Sequence, residues 1–290
     1  MQFDYTAFEL FSAYLAGQAT LGQVLAHPAY QAVSRHARHF SGGITEDDIR
    51  AALHGAPSPF YGVEALPRNL GRIRGLIAAI RAAEGEWLAQ AEDTLHSLVP
   101  GEDLNIIVYP ILGYDLGIGL GGVACLNCNC DTYLNDPLEF LFYSLHECMH
   151  VLYERRHRVA PLSAVNSPAE WRSYYNLWTQ NEGFAVYASL RLRQARGRLA
   201  ERDYAVLQDA PELQRHRLAY LGAFARLQSD AALPREAYME ICFGPQRLTY
   251  RMGCELIRRI ERAYGPGTVR DAFALEGDDF IARFGSLLAG

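Results

Sequence analysis

One stretch of this chain, residues 104–134, interrupts a pattern that is otherwise helical, and it limits the fold more than any other feature. Before it, Phe8, Phe11, Tyr14 and Leu15 recur at helical spacing, and a long amphipathic run covers 63–98. Within it, Asn-Ile-Ile-Val-Tyr at 105–109, a glycine-rich segment at 113–122, Val-Ala-Cys-Leu-Asn at 123–127 and Thr-Tyr-Leu at 132–134 read as short strands joined by turns. After Asp136 the helical spacing returns almost to the end. The expected architecture is therefore α+β and mainly α, with helices around one small mixed or antiparallel sheet. An amino-terminal helical region, 1–100, precedes a core, 101–290, read as one compact unit. A chain of 290 residues, half of them apolar, is long enough to bury such a core.

Composition excludes several classes of function. The net charge is -6, so the chain lacks the basic footprint that neutralises phosphates, and nucleic acid is not an expected partner. All 27 basic residues are arginine. Without lysine there is no phosphate-binding loop of the nucleotide-hydrolase type and no Schiff base for pyridoxal phosphate. The most apolar stretch, 106–126, contains Pro110, Asp115 and five glycines, which rules it out as a membrane span; no membrane partner is expected. Residues 1–10 carry Asp4 and Glu9 and no basic cluster ahead of an apolar run, so the layout of a secretory signal is missing and a cytoplasmic location is expected. Reduced thiols follow from that location. Cys125, Cys128 and Cys130 lie close together, but no second pair follows at zinc-ribbon spacing, and the sequence assigns the cluster no role.

Gly117, Gly119 and Gly122 formally spell a dinucleotide fingerprint, yet strand and turn follow them where that motif requires a helix. They read either as bulge and hairpin glycines or as a strand left bare for a substrate backbone.

The Asp-Pro-Leu-Glu segment at 136–139 marks a helix start: Asp136 can cap, proline suits the first turn, and Glu139 can reach back. Leu138, Leu141, Phe142, Leu145, Met149 and Leu152 follow at spacings of three and four, an apolar stripe that sets the register. Tyr143, His146, His150 and Tyr153 fall on a neighbouring face. His-Glu-Cys-Met-His at 146–150 therefore offers two imidazoles one turn apart to a single zinc ion, with Glu147 beside the metal as a general base.

A catalytic zinc needs a third protein ligand, and Glu182 supplies it. A second helix starts at Ser-Pro-Ala-Glu, 167–170, with the same cap, proline and returning glutamate. Along it Trp171, Tyr175, Trp178, Glu182 and Val186 share one face. An isolated carboxylate on such an aromatic stripe costs several kcal/mol to ionise, and a metal removes that cost. Gly183 costs the helix about 1 kcal/mol relative to alanine, which is intelligible if a neighbouring backbone comes close. His27, His36, His39, His54, His96 and His216 have no metal-ligand spacing and read as surface or packed histidines. The Glu-x-x-His pairs 147/150 and 154/157 share one helix, which excludes a di-iron bundle.

Two histidines followed 32 residues later by a glutamate on a second helix is the gluzincin plan, and further segments resemble a known group. Asn-Glu-Gly-Phe-Ala-Val-Tyr-Ala at 181–188 resembles the Glu-Gly-Trp-Ala-Leu-Tyr block of a bacterial group of zinc metallopeptidases. Gly-Pro-Gln-Arg-Leu-Thr-Tyr-Arg-Met-Gly at 244–253 is similar to that group's Pro-Gly-Gln-Ala-x-x-Tyr-x-x-Gly block, and 146–154 is more distantly similar to thermostable zinc carboxypeptidases. The resemblance covers about 104–265 and departs at Cys148 and Met149, where the group has Pro-Gly.

It implies a zincin-like fold, one Zn2+ per chain, and a tyrosine near the metal that donates to an oxyanion. Tyr250 is the match for that tyrosine, with Arg251, Tyr187 and Arg247 as rivals. Pro245 is expected to open its helix and Gly265-Pro266 to close it. Gln246 reads either as orienting substrate or as solvent-exposed. The expected function is hydrolysis of a peptide or peptide-like amide, with Glu147 and Tyr250 catalytic and His146, His150 and Glu182 on the metal. The alternatives are a small-molecule amidase or tailoring enzyme, and a non-catalytic zinc-stabilised interaction module. Subunit number, and cleavage inside a chain or at its end, stay open at this level.

Overall fold

The computed structural model of the protein describes residues 1–39, 42–228 and 232–289. Two compact units emerge, Met1–Asp93 with Asp103–Glu154, and Thr94–Glu102 with Arg155–Gly290. The helices of the first hundred residues thus fall largely in the same unit as the strands.

The first unit runs β1 (Gln2–Phe3), α1 (Thr6–Leu15), α2 (Leu21–Ala26), α3 (Pro28–Ala37), α4 (Glu46–Leu53), α5 (Leu66–Leu98), β2 (Ile107–Ile111), β3 (Gly117–Leu120), β4 (Val123–Asn127), α6 (Asp131–Asn135) and α7 (Leu138–Arg156), with the tails of α5 and α7 assigned to the second unit. The sheet is mixed, in the order β1-β2-β4-β3: β1 with β2 and β2 with β4 are parallel, β4 with β3 antiparallel. β2 and β4 are buried along nearly their whole length, as expected for apolar strands covered on both faces. Leu120 pairs with Val123 across Gly121 and Gly122, whose φ values of 61° and 88° suit a tight two-residue hairpin.

Two elements depart from the sequence reading. Thr-Tyr-Leu at 132–134 is not a strand but lies in α6. Tyr133 is fully buried, donates its hydroxyl to the Leu116 carbonyl at 3.0 Å and meets the Phe140 ring edge-on, so packing overrides the strand preference of its neighbours. β1 is the second departure. It exists through pairing with β2, where Gln2 N donates to Ile106 O at 3.1 Å and Asp4 N to Val108 O at 3.0 Å.

The second unit contains α8 (Pro168–Ala195), α9 (Arg202–Gln208), α10 (Ala210–Gln228), α11 (Arg235–Phe243), α12 (Leu248–Tyr264), α13 (Pro266–Phe273) and α14 (Gly277–Phe284). The start of α8 is as read: Ser167 Oγ accepts from Glu170 N, and Glu170 accepts from Ser167 N at 2.8 Å. Its central partner is α12, and the two backbones touch. A Cβ on Gly183 would come within 2.5 Å of the Gly253 carbonyl carbon, and a Cβ on Gly253 would run into the Thr179 carbonyl oxygen. The neighbouring backbone expected at Gly183 is therefore α12. Among the described residues, no helix is long and apolar enough to cross a membrane.

Candidate metal centre

The apolar stripe of α7 anchors it: Leu141, Phe142, Leu145, Met149 and Leu152 are all buried. Asp136 Oδ1 accepts from Leu138 N at 3.1 Å and sets the start. With the register held, His146 is buried and His150 half-buried, and their Nε2 atoms face each other at 3.1 Å. Two nitrogens at about 2.0–2.1 Å from one tetrahedral zinc lie roughly 3.3 Å apart, so the pair is spaced for a shared ion. Glu182, on α8, is buried. The ligand atoms of His146, His150 and Glu182 all lie within 4.8 Å of one another, and the group could hold a metal ion. The donor set fits: a buried carboxylate is costly without a cation, and neutral imidazole with carboxylate oxygen suits a divalent metal.

Glu147 is buried beside β3. A Cβ on Gly117 would lie 2.5 Å from its Oε1, and a Cβ on Gly119 would run into its carbonyl oxygen and come within 2.9 Å of the His150 Cβ. The glycines of β3 are thus bare because α7 lies against them. This corrects the reading that Gly117 and Gly119 leave room for a substrate backbone; Glu147 and His150 occupy that space. Gly121 and Gly122 are the hairpin glycines.

Tyr250 sits in the first turn of α12, and its hydroxyl hydrogen-bonds to Glu182. Burial first, and the Glu182 charge second, hold that hydroxyl protonated, well above the usual tyrosine range. The helix begins at Leu248 and not at Pro245. Arg247 caps it in the left-handed region, φ 47° and ψ 48°, while Arg247 N donates to Gly244 O at 2.9 Å and closes a turn that leaves Pro245 and Gln246 exposed. The rivals of Tyr250 lie differently. Tyr187 hydrogen-bonds to Glu261. Arg251 donates from Nε to Asp203 Oδ1 at 3.0 Å and from Nη1 to His216 Nε2 at 2.5 Å. Arg247 donates from Nε to Asp203 Oδ2 at 2.8 Å, and its Cζ stands 3.4 Å above the Tyr250 ring centre.

Asp203 was not singled out from the sequence, and His216, read there as a surface or packed histidine, packs against Arg251. Asp203 lies 44 residues from Arg247, and no local pattern announces a pairing over that distance. His27 is a cap, its Nδ1 accepting from Ala29 N at 3.2 Å. The cysteines are free thiols. Burial holds Cys125 and Cys128 protonated far above the ordinary thiol value and pushes Cys130 up to about 12, so the cluster does not present thiolates.

No protein-family model, no curated protein and no solved structure matches this chain.

Proposed function

We propose that the protein is a zinc-dependent hydrolase of zincin type that cleaves a peptide or peptide-like amide bond. The observation that carries the reading is the convergence of His146, His150 and Glu182 with Glu147 next to His146 on the same helix. Two imidazoles and one carboxylate are the ligand set of hydrolytic zinc sites, which keep a further position open. When bound, zinc supplies a Lewis acid that polarises a carbonyl and acidifies water.

The residues of the chain do the rest. Glu147 takes the proton of the attacking water and delivers it to the leaving nitrogen. The Tyr250 hydroxyl, which donates to Glu182 at rest, turns to the carbonyl oxygen as negative charge develops there. The buried setting of Glu147 strengthens its interaction with any charge that forms beside it.

The test is hydrolysis of a peptide pool by the zinc-loaded chain and by two variants. Glu147→Gln is expected to lose about 10²- to 10⁴-fold in kcat while keeping its zinc. Tyr250→Phe is expected to lose about 10- to 10³-fold, also with zinc retained. Full activity in Glu147→Gln on a substrate that the native chain turns over would refute the mechanism.

A further inference from the structure

Arg247 has features that a merely structural arginine does not need. Its backbone is left-handed, a conformation that costs a non-glycine residue about 1–2 kcal/mol, and the resulting kink sends its side chain across the face of Tyr250. Its hydrogen bond to Asp203 uses Nε alone. Among the described residues the two terminal amino groups make no further hydrogen bond, and these form the fork that grips a carboxylate through two parallel bonds. The side chain is 22% exposed, against 9% for Arg251, so of the two arginines on Asp203 it is Arg247 that a ligand can reach.

The surrounding charge is unbalanced in the same direction. Arg193, Arg202, Arg247 and Arg251 meet the carboxylates of Glu201 and Asp203, four cations against two anions. Glu182, which also faces Arg247, is committed to a cation in the reading above. An excess of positive charge beside the Glu182 carboxylate suits an anionic group on the ligand.

We propose that Arg247 anchors a free carboxylate of the substrate, so that the chain acts on peptides or acylated amino acids close to their carboxyl end. This rests on the hydrolase reading for the cleavage, but the anchoring itself is a binding property. Asp203 holds the guanidinium from one side and the Tyr250 ring from below, which fixes the plane of the fork.

The test offers two tetrapeptide pools, one with free carboxyl ends and one amidated, to the full zinc-loaded chain and to Arg247→Ala and Arg247→Lys. Product release is followed by mass spectrometry. Retention of each pool is measured on zinc-loaded Glu147→Gln protein, with and without the Arg247 substitutions. The native chain is expected to prefer the free acids by at least about tenfold in kcat/KM and in retention, releasing residues from the carboxyl end. Arg247→Ala should treat the two pools alike, mainly through a raised KM. Arg247→Lys keeps the charge and the pairing with Asp203 but lacks the fork, so it should recover only part of the preference, and it serves if the alanine variant fails to fold.

Equal cleavage and equal retention of the two pools by the native chain overturn the anchor while leaving the hydrolase reading standing. Selective retention of free acids, lost in the Arg247 variants, with no cleavage of either pool upholds the anchor and rejects the hydrolase. A uniform loss on both pools in the variants assigns Arg247 a structural role and overturns the anchor.

Discussion

α7 and α8 both present polar groups from apolar cores, and each is approached by glycine, but what the glycine meets differs. Gly117 meets the end of a side chain of α7, the Glu147 carboxyl, whereas Gly119 meets the α7 backbone at the Glu147 carbonyl, and Gly183 and Gly253 bring the backbones of α8 and α12 together. A carboxyl can turn away from an added methyl group, whereas two helix backbones in contact can only separate. The Gly117 contact therefore bears on how the Glu147 carboxyl is oriented, and the Gly183–Gly253 contact on the fold around Glu182.

The sharpest way to break that distinction is Gly253→Ala. Its methyl group would run into the Thr179 carbonyl oxygen, one turn before Gly183, so the variant is expected to lose about 1–3 kcal/mol or more and to bind zinc more weakly. A denaturant midpoint equal to that of the native chain would remove the backbone contact from the account. Gly117→Ala comes next. It should cost less than about 1 kcal/mol in stability, since only a side-chain end must move, while hydrolysis falls by roughly tenfold to a hundredfold with zinc content unchanged. Unfolding as severe as that of Gly253→Ala would erase the difference between the two contacts.

The smallest effect is expected away from both. Burial lowers the pKa of His27 below the usual 6.5, with Asp4 opposing. The unfolded chain then takes up this proton at a higher pH than the folded chain does. Stability from neutral His27 is present above about pH 6.5 and is lost as the pH falls through the folded value. His27→Ala should forfeit about 0.5–2 kcal/mol of capping and flatten the stability profile in this range, with zinc content unaltered. A profile as steep as that of the native chain would show that His27 does not set it.

Much of the polar arrangement was legible because it is local. Ser167 and Glu170 sit three residues apart and cap α8 as read, and His146 and His150 are one helical turn apart by spacing alone. Glu182 was legible as a candidate because it shares a face with Trp171 and Tyr175, where an isolated carboxylate is costly. What escaped is non-local. β1 is two residues long and owes its existence to β2, and α6 forms where the burial of the Tyr133 ring outweighs local preference. The start of α12 moved from Pro245 to Leu248 because Arg247 adopts a left-handed conformation that its residue type does not announce. The link from Asp203 to Arg247, Arg251 and His216 joins three helices and the cap of one of them, and only folding brings them together.

Elemental analysis of the purified chain beside its Glu182→Ala variant addresses the metal centre most directly. One zinc per native chain, lost or strongly reduced when the carboxylate is removed although the variant remains folded, is the predicted result. A native chain that retains no metal after zinc loading and dialysis, or a variant that holds as much as the native chain, would contradict a centre built from His146, His150 and Glu182.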